Sequence, residues 1–135
     1  MDGQTGLIGI SDLEKALLAS WSRETSSDPA GWTTENPAYG QCAVTACVVQ
    51  DYVGGDIVWA EVLAWEKKVS HYFNLSYCRE QDFTMRQFPE GTEIPEGVPK
   101  TKGFATTRDY VLSFPATLER YNLLKSRVKE YLGDL

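Results

Sequence analysis

The chain has 135 residues, enough for one domain that buries roughly two-thirds of the surface its unfolded form exposes. With 42% hydrophobic and 24% charged residues it has the balance of an ordinary globular protein, not a disordered one. Its net charge of −6, with 13 scattered basic residues, argues against a nucleic-acid partner, whose affinity needs clustered cations.

No apolar stretch approaches the roughly 18 to 20 residues that span a bilayer, so no membrane partner is expected. The opening MDGQTGLIGISDLEK lacks the basic start and long apolar region of a secretory signal. Three cysteines, Cys42, Cys47 and Cys78, form an odd set without a framework, which fits reduced thiols and a cytoplasmic setting. A single domain over residues 1 to 135 is expected, with residues 1 to 10 as a flexible N-terminus.

In chain order, Ser11 and Glu14 have the spacing of a capping box, and Leu13, Leu17 and Trp21 share one helical face. A helix from Asp12 to Glu24 is predicted. SSDPAGWTTENPAYG, residues 26–40, is rich in turn formers and holds two X-Pro pairs. A loop this long inside a domain is often functional. The run from Cys42 to Val53 admits a strand by its Val and Thr, or a helix by its length and the helical spacing of Val44, Cys47, Val48 and Tyr52. Helix is favoured, with Gly54 as its stop.

DIVWAEVLAW and KKVSHYFNLSY have the β-branched and aromatic content of strands. REQ then reads as a turn into DFTMRQF, a third short strand of an antiparallel meander. Residues 89–103, with their prolines and glycines, read as a surface loop. From Pro115, the positions Leu118, Tyr121, Leu124, Val128 and Leu132 form one face of a helix that Gly133 ends. The fold class is therefore α+β: a helix carrying Cys42 packed on a small antiparallel meander, with N- and C-terminal helices.

The only histidine, His71, lies in the second predicted strand, and Asp82 opens the third. Residues so spaced in a hairpin can face each other, so the carboxylate can orient the imidazole. A thiol at the start of the Cys42 helix meets the positive end of the helix dipole and, if the helix packs on the sheet, the ring as well; both favour the thiolate. The roles would be Cys42 as nucleophile, His71 as base and then acid, and Asp82 as the orienting group, with Glu80 as its substitute. The Cys42 backbone amide could supply one oxyanion donor, and the side chain of Asn36 or Gln41 a second.

GWTTENPAYGQCAVTACVVQDYVGG, SHYFN, DFTMRQFP and TLERYNLLKSRV resemble the YunG-like family of uncharacterised, mostly bacterial proteins. The resemblance runs from about Trp21 to Val128, and NPAYGQCAVTA is its most specific part. The order of elements is also similar to compact papain-like hydrolases and transferases of the NlpC and transglutaminase type, which implies a triad of Cys42, His71 and Asp82. Papain-like peptidases place their oxyanion glutamine six residues ahead of the cysteine, where this chain has Asn36.

Each of these residues has a structural reading as well. Cysteine is commonly buried, and Cys47, about 140° round the helix from Cys42, is expected to be buried and inert. A lone histidine is commonly structural, and Asp82 could cap a turn. Trp32 and Tyr39, in the loop leading to Cys42, are candidates for lining a substrate groove. Cys42, His71, Cys78 and Asp82 lack the spacing of a zinc site, and no phosphate loop is present. No metal or cofactor is expected. The sequence thus supports a thiol enzyme acting on an amide or ester carbonyl of a small-molecule or peptide substrate, or a non-catalytic binding module on the same fold.

Overall fold

The computed structural model describes residues 9–133; of the expected flexible N-terminus, residues 1–8 lie outside the described residues. Leu13, Ala16 and Leu17 form the fully buried face of the first helix, α1 (Ile10–Ser20). The expected capping box is not what starts it. Gly9 is the N-cap, and Ser11 and Glu14 are exposed within the helix. The helix also stops short of Glu24, because Trp21 leaves helical geometry and donates its indole N–H to Thr45 Oγ1 at 2.9 Å. A capping box does form one turn later, between Ser22 and Thr25 around a 3₁₀ turn.

The second helix, α2 (Cys42–Val53), has the predicted bounds, and Gly54 ends it with φ 76°. Its β-branched residues are compatible with a helix because Val44 through Val49 are all buried between two layers, where packing outweighs propensity. The strands β1 (Asp56–Ala64), β2 (Lys67–Ser76) and β3 (Arg79–Gln81) form an antiparallel sheet in the order β1-β2-β3. Two-residue turns join them, Trp65-Glu66 and Tyr77-Cys78, all four residues having φ between 52° and 61°. Left-handed geometry at both positions is what a tight hairpin of twisted strands requires.

The third strand is therefore not where the sequence places it. REQ is the strand itself, and DFTMRQF does not pair in the sheet. Asp82 Oδ1 instead accepts the N–H of Thr84 at 3.2 Å, and a 3₁₀ turn follows over Met85–Gln87.

Alternation along β2 divides the sheet into two faces. Tyr72 and Asn74 look toward the helices, and Asn74 Nδ2 donates to the Ala46 carbonyl of α2 at 2.9 Å. Val58, Ala60, His71 and Phe73 look the other way, where Ile94 and Phe88 cover that face. The loop over 89–103 has no helix or strand of its own, but Val98 exchanges both backbone hydrogen bonds with Trp59 and so lengthens the sheet by one bridge. Gly97 is pressed so close to the sheet that a Cβ there would overlap the Val58 side chain.

A short helix, α3 (Thr107–Leu112), was not predicted; Thr106 caps it by accepting the Asp109 N–H at 3.0 Å. The last helix, α4 (Pro115–Leu132), buries Tyr121, Leu124, Val128 and Leu132 against α1 and α2, while Leu118 is 40% exposed. Among the described residues no helix is long and apolar enough to cross a membrane.

The Trp21 to Thr45 hydrogen bond is the buried polar tie between α1 and α2. Thr45→Val keeps the shape and removes the acceptor, leaving the indole N–H unpaired, and is expected to lower stability by about 1–3 kcal/mol in urea unfolding.

Candidate active site

The loop before α2 is folded back on itself so that it delivers Cys42 to one place. Ser27 N–H donates to the Gly40 carbonyl at 2.9 Å, and Ser26 Oγ to the Tyr39 carbonyl at 2.9 Å. Gly40 is required there: it has φ 74°, and a Cβ would strike Ser26 Oγ. The first intrahelical N–H of α2 is that of Thr45, bonded to the Gln41 carbonyl at 2.9 Å. The amides of Cys42, Ala43 and Val44 are consequently the unpaired donors of a helix start.

Cys42 is half-buried. Because β3 covers only Asn74–Ser76 of β2, the edge of β2 near Ser70 is open, and Cys42 Sγ lies 3.9 Å from the Ser70 carbonyl. His71, the next residue, is 0% exposed. Its Nε2 is 2.6 Å from Asp82 Oδ2. Phe73 stacks on the ring at 5.4 Å and Phe88 meets it edge-on at 5.0 Å.

The sheet register pairs Asn74 with Gln81, which leaves Asp82 beyond the strand and not directly across from His71. The carboxylate reaches the ring because the chain turns there. Glu80 points elsewhere, accepting the Gly97 N–H at 3.2 Å.

Burial alone pushes the His71 pKa down. The Asp82 hydrogen bond and the neighbouring Cys42 thiol more than offset this and raise it to about 9. The other ring nitrogen, Nδ1, is buried and has no hydrogen-bond partner. The Cys42 sulfur is close enough to favour the protonated ring, but its alignment does not satisfy Nδ1 as a hydrogen-bond partner.

Cys47 is buried as expected, while the oxyanion and groove candidates are placed differently from expectation. Gln41 is fully buried with Nε2 on the Ser22 carbonyl at 2.9 Å, and Asn36 Nδ2 is on the Gln87 carbonyl at 2.9 Å. Both amides are held by backbone acceptors in the surrounding loops. Trp32 is buried with its indole N–H on the Pro37 carbonyl at 3.0 Å, and the Tyr39 hydroxyl donates to Asp28 at 2.7 Å. Neither ring lines the cleft at Cys42. Cys47 is buried, which pushes its thiol up to about 12, and Cys78 is exposed in its turn. Among the described residues no three His, Cys, Asp or Glu side chains converge as metal ligands.

The cleft beside Cys42 has a volume of about 230 Å³ and is walled by Tyr72 from the sheet and by Val111, Phe114, Thr117 and Arg120 from the α3–α4 region. Sequence reasoning missed Arg120. The available signal was its place four residues before the buried Leu124, on the flank of the apolar stripe of α4.

Residues 9–133 match the family model described as "YunG protein". Among curated proteins, the "Uncharacterized protein YunG" of Bacillus subtilis (strain 168) is 44% identical over 87 residues, which is 64% of this chain and 68% of that protein. No solved structure matches.

With one histidine in the chain, its imidazole resonance is unambiguous in an NMR titration. The expected midpoint is about 9, falling toward or below 6.5 in Asp82→Asn. Because the folded pKa is the higher one, the pair's stabilisation is fully present below 6.5 and is lost as pH rises through about 9. Urea unfolding across that range should show stability declining with pH, and the decline should be flattened in Asp82→Asn.

Proposed function

The chain belongs to the YunG family, and from that premise and the geometry at Cys42 we propose that it is a thiol enzyme acting on an amide or ester carbonyl, as a hydrolase or an acyltransferase. The observation that carries this reading is a fully buried His71 bonded through Nε2 to Asp82 at 2.6 Å, its Nδ1 unpartnered, beside a cysteine that lines an open cleft. A structural histidine has little need of a carboxylate on one side and an unmet nitrogen on the other. The order of elements, with cysteine at a helix start, histidine in a strand and aspartate just past the next strand, supports a papain-like arrangement. Three free cysteines suit a reducing, cytoplasmic setting.

In this mechanism the resting pair holds its proton on His71, whose pKa is raised to about 9, and the Cys42 thiolate attacks the carbonyl carbon, forming a C–S bond and an oxyanion. The amides at the start of α2 offer donors to that oxyanion, and the helix dipole adds to them. Since Asn36 and Gln41 are bound to backbone carbonyls, the main chain carries this role. Collapse breaks the bond to the leaving amine or alcohol, which receives the proton from His71. Water or an acceptor amine then attacks the thioester, His71 takes the incoming proton, and the C–S bond breaks, releasing the acyl product and restoring the thiolate beside the protonated ring. Asp82 holds the ring throughout and keeps it oriented.

A non-catalytic module is the second reading, favoured by the absence of a hydrogen bond between the thiol and His71. The two separate in an acylation experiment with 4-nitrophenyl acetate, followed by mass spectrometry of the cysteine peptides. The enzyme reading expects a burst of nitrophenol with one acetyl group on Cys42 ahead of the more exposed Cys78. It also expects acylation to slow by about 10²–10⁴-fold in His71→Gln. Equal acetylation of Cys42 and Cys78 in the unaltered protein would establish the module reading instead.

A further inference from the structure

We propose that Arg120 makes the Cys42 cleft selective for acyl groups that carry a carboxylate near the reacting carbon. The inference rests on Cys42 being the reacting group of the site.

Arg120 projects from α4 into the wall of the cleft, with one guanidinium nitrogen on Thr117 Oγ1 at 3.1 Å. Its Nε is buried and has no hydrogen-bond partner. Arg108 and Arg127 of the same helical layer are each matched to a carboxylate, Asp51 at 3.1 Å and Glu24 at 3.3 Å. Arg120 has no such partner among the described residues. A guanidinium held partly out of water is costly without an anion, and its planar fork suits a carboxylate better than any other small group.

The surroundings narrow the ligand further. Val44, Val111 and Phe114 make the cleft largely apolar. Burial, above all, raises the Tyr72 hydroxyl to about 12 and so keeps it a neutral donor. Among the residues lining the space, Arg120 alone belongs to the Asp, Glu, Lys, Arg and His types. The cleft volume of about 230 Å³ lies below the usual range of drug-sized pockets, about 300–1,000 Å³, and suits a short acyl chain with one anionic group. Burial opposes the charge on Arg120 and a thiolate at Cys42 supports it, which places the guanidinium within electrostatic reach of the sulfur.

Iodoacetate and iodoacetamide test this directly, because they differ only in carboxylate against amide and alkylate a thiolate by the same displacement of iodide. Rates at Cys42 and Cys78 are read separately by peptide mass spectrometry. The iodoacetate-to-iodoacetamide ratio is expected to be about tenfold higher at Cys42 than at Cys78, the scale of local electrostatic focusing. Arg120→Gln should bring the Cys42 ratio down to that of Cys78, and Arg120→Lys should retain part of the preference. Equal ratios at the two cysteines of the unaltered protein overturn the proposal without any variant. So does a preference that survives in Arg120→Gln, which would make the imidazolium the attracting charge. The enzyme reading fails by a different result, an iodoacetamide rate at Cys42 that is unchanged by His71→Gln.

Discussion

An imidazole with no exposure to water, bonded at 2.6 Å to a carboxylate, can hold a proton only while that carboxylate stays beside it. Much of the chain is arranged to keep it there. The backbone leaves the sheet after Gln81, Asp82 is fixed by the Thr84 amide, and Phe88 comes back over the ring. Gln87 in the same segment accepts the Gly40 N–H through its side chain and the Asn36 amide through its carbonyl. The segment that holds the histidine therefore also holds the loop that presents the cysteine. Trp65 adds a further tie, packing edge-on to Tyr39 at 5.7 Å and against Phe88 at 5.5 Å.

Where one periodicity ruled a segment, the sequence was a sufficient guide. The stripe Tyr121, Leu124, Val128 and Leu132 and the glycine stops at Gly54 and Gly133 fixed α4 and the end of α2 because burial and backbone geometry agreed there. The pairing of His71 with Asp82 could be anticipated because the chain has a single histidine and this carboxylate lies at hairpin spacing from it, although the route differs from two facing strands. The hairpin turns were hidden: Trp65-Glu66 and Tyr77-Cys78 adopt left-handed geometry without the glycine or asparagine that usually announces it. The third strand was misplaced for that reason, and because a side-chain bond from Asp82 to Thr84 replaced sheet pairing. The six-residue α3 is too short to show a period.

The cleft shows the same limit at the level of chemistry. Asn36 and Gln41 carry the right groups at suggestive positions, but a side-chain amide satisfies whichever carbonyl is nearest, and here the loops supply them. Arg120 reads in one dimension as another charge on a solvated helix. Only the approach of α4 to the start of α2 and the strand edge puts it beside the thiol.

The walls of that cleft come from distant parts of the chain, and this ties its shape to the packing of the core. Arg127 of α4 donates to the Ser20 carbonyl at 3.2 Å and to Ser22 Oγ at 2.6 Å, so the last helix is clasped to the end of the first. Core and cleft thus share one wall: the helix that buries Leu124 and Val128 also brings Thr117 and Arg120 to the thiol, so loosening α4 opens both together.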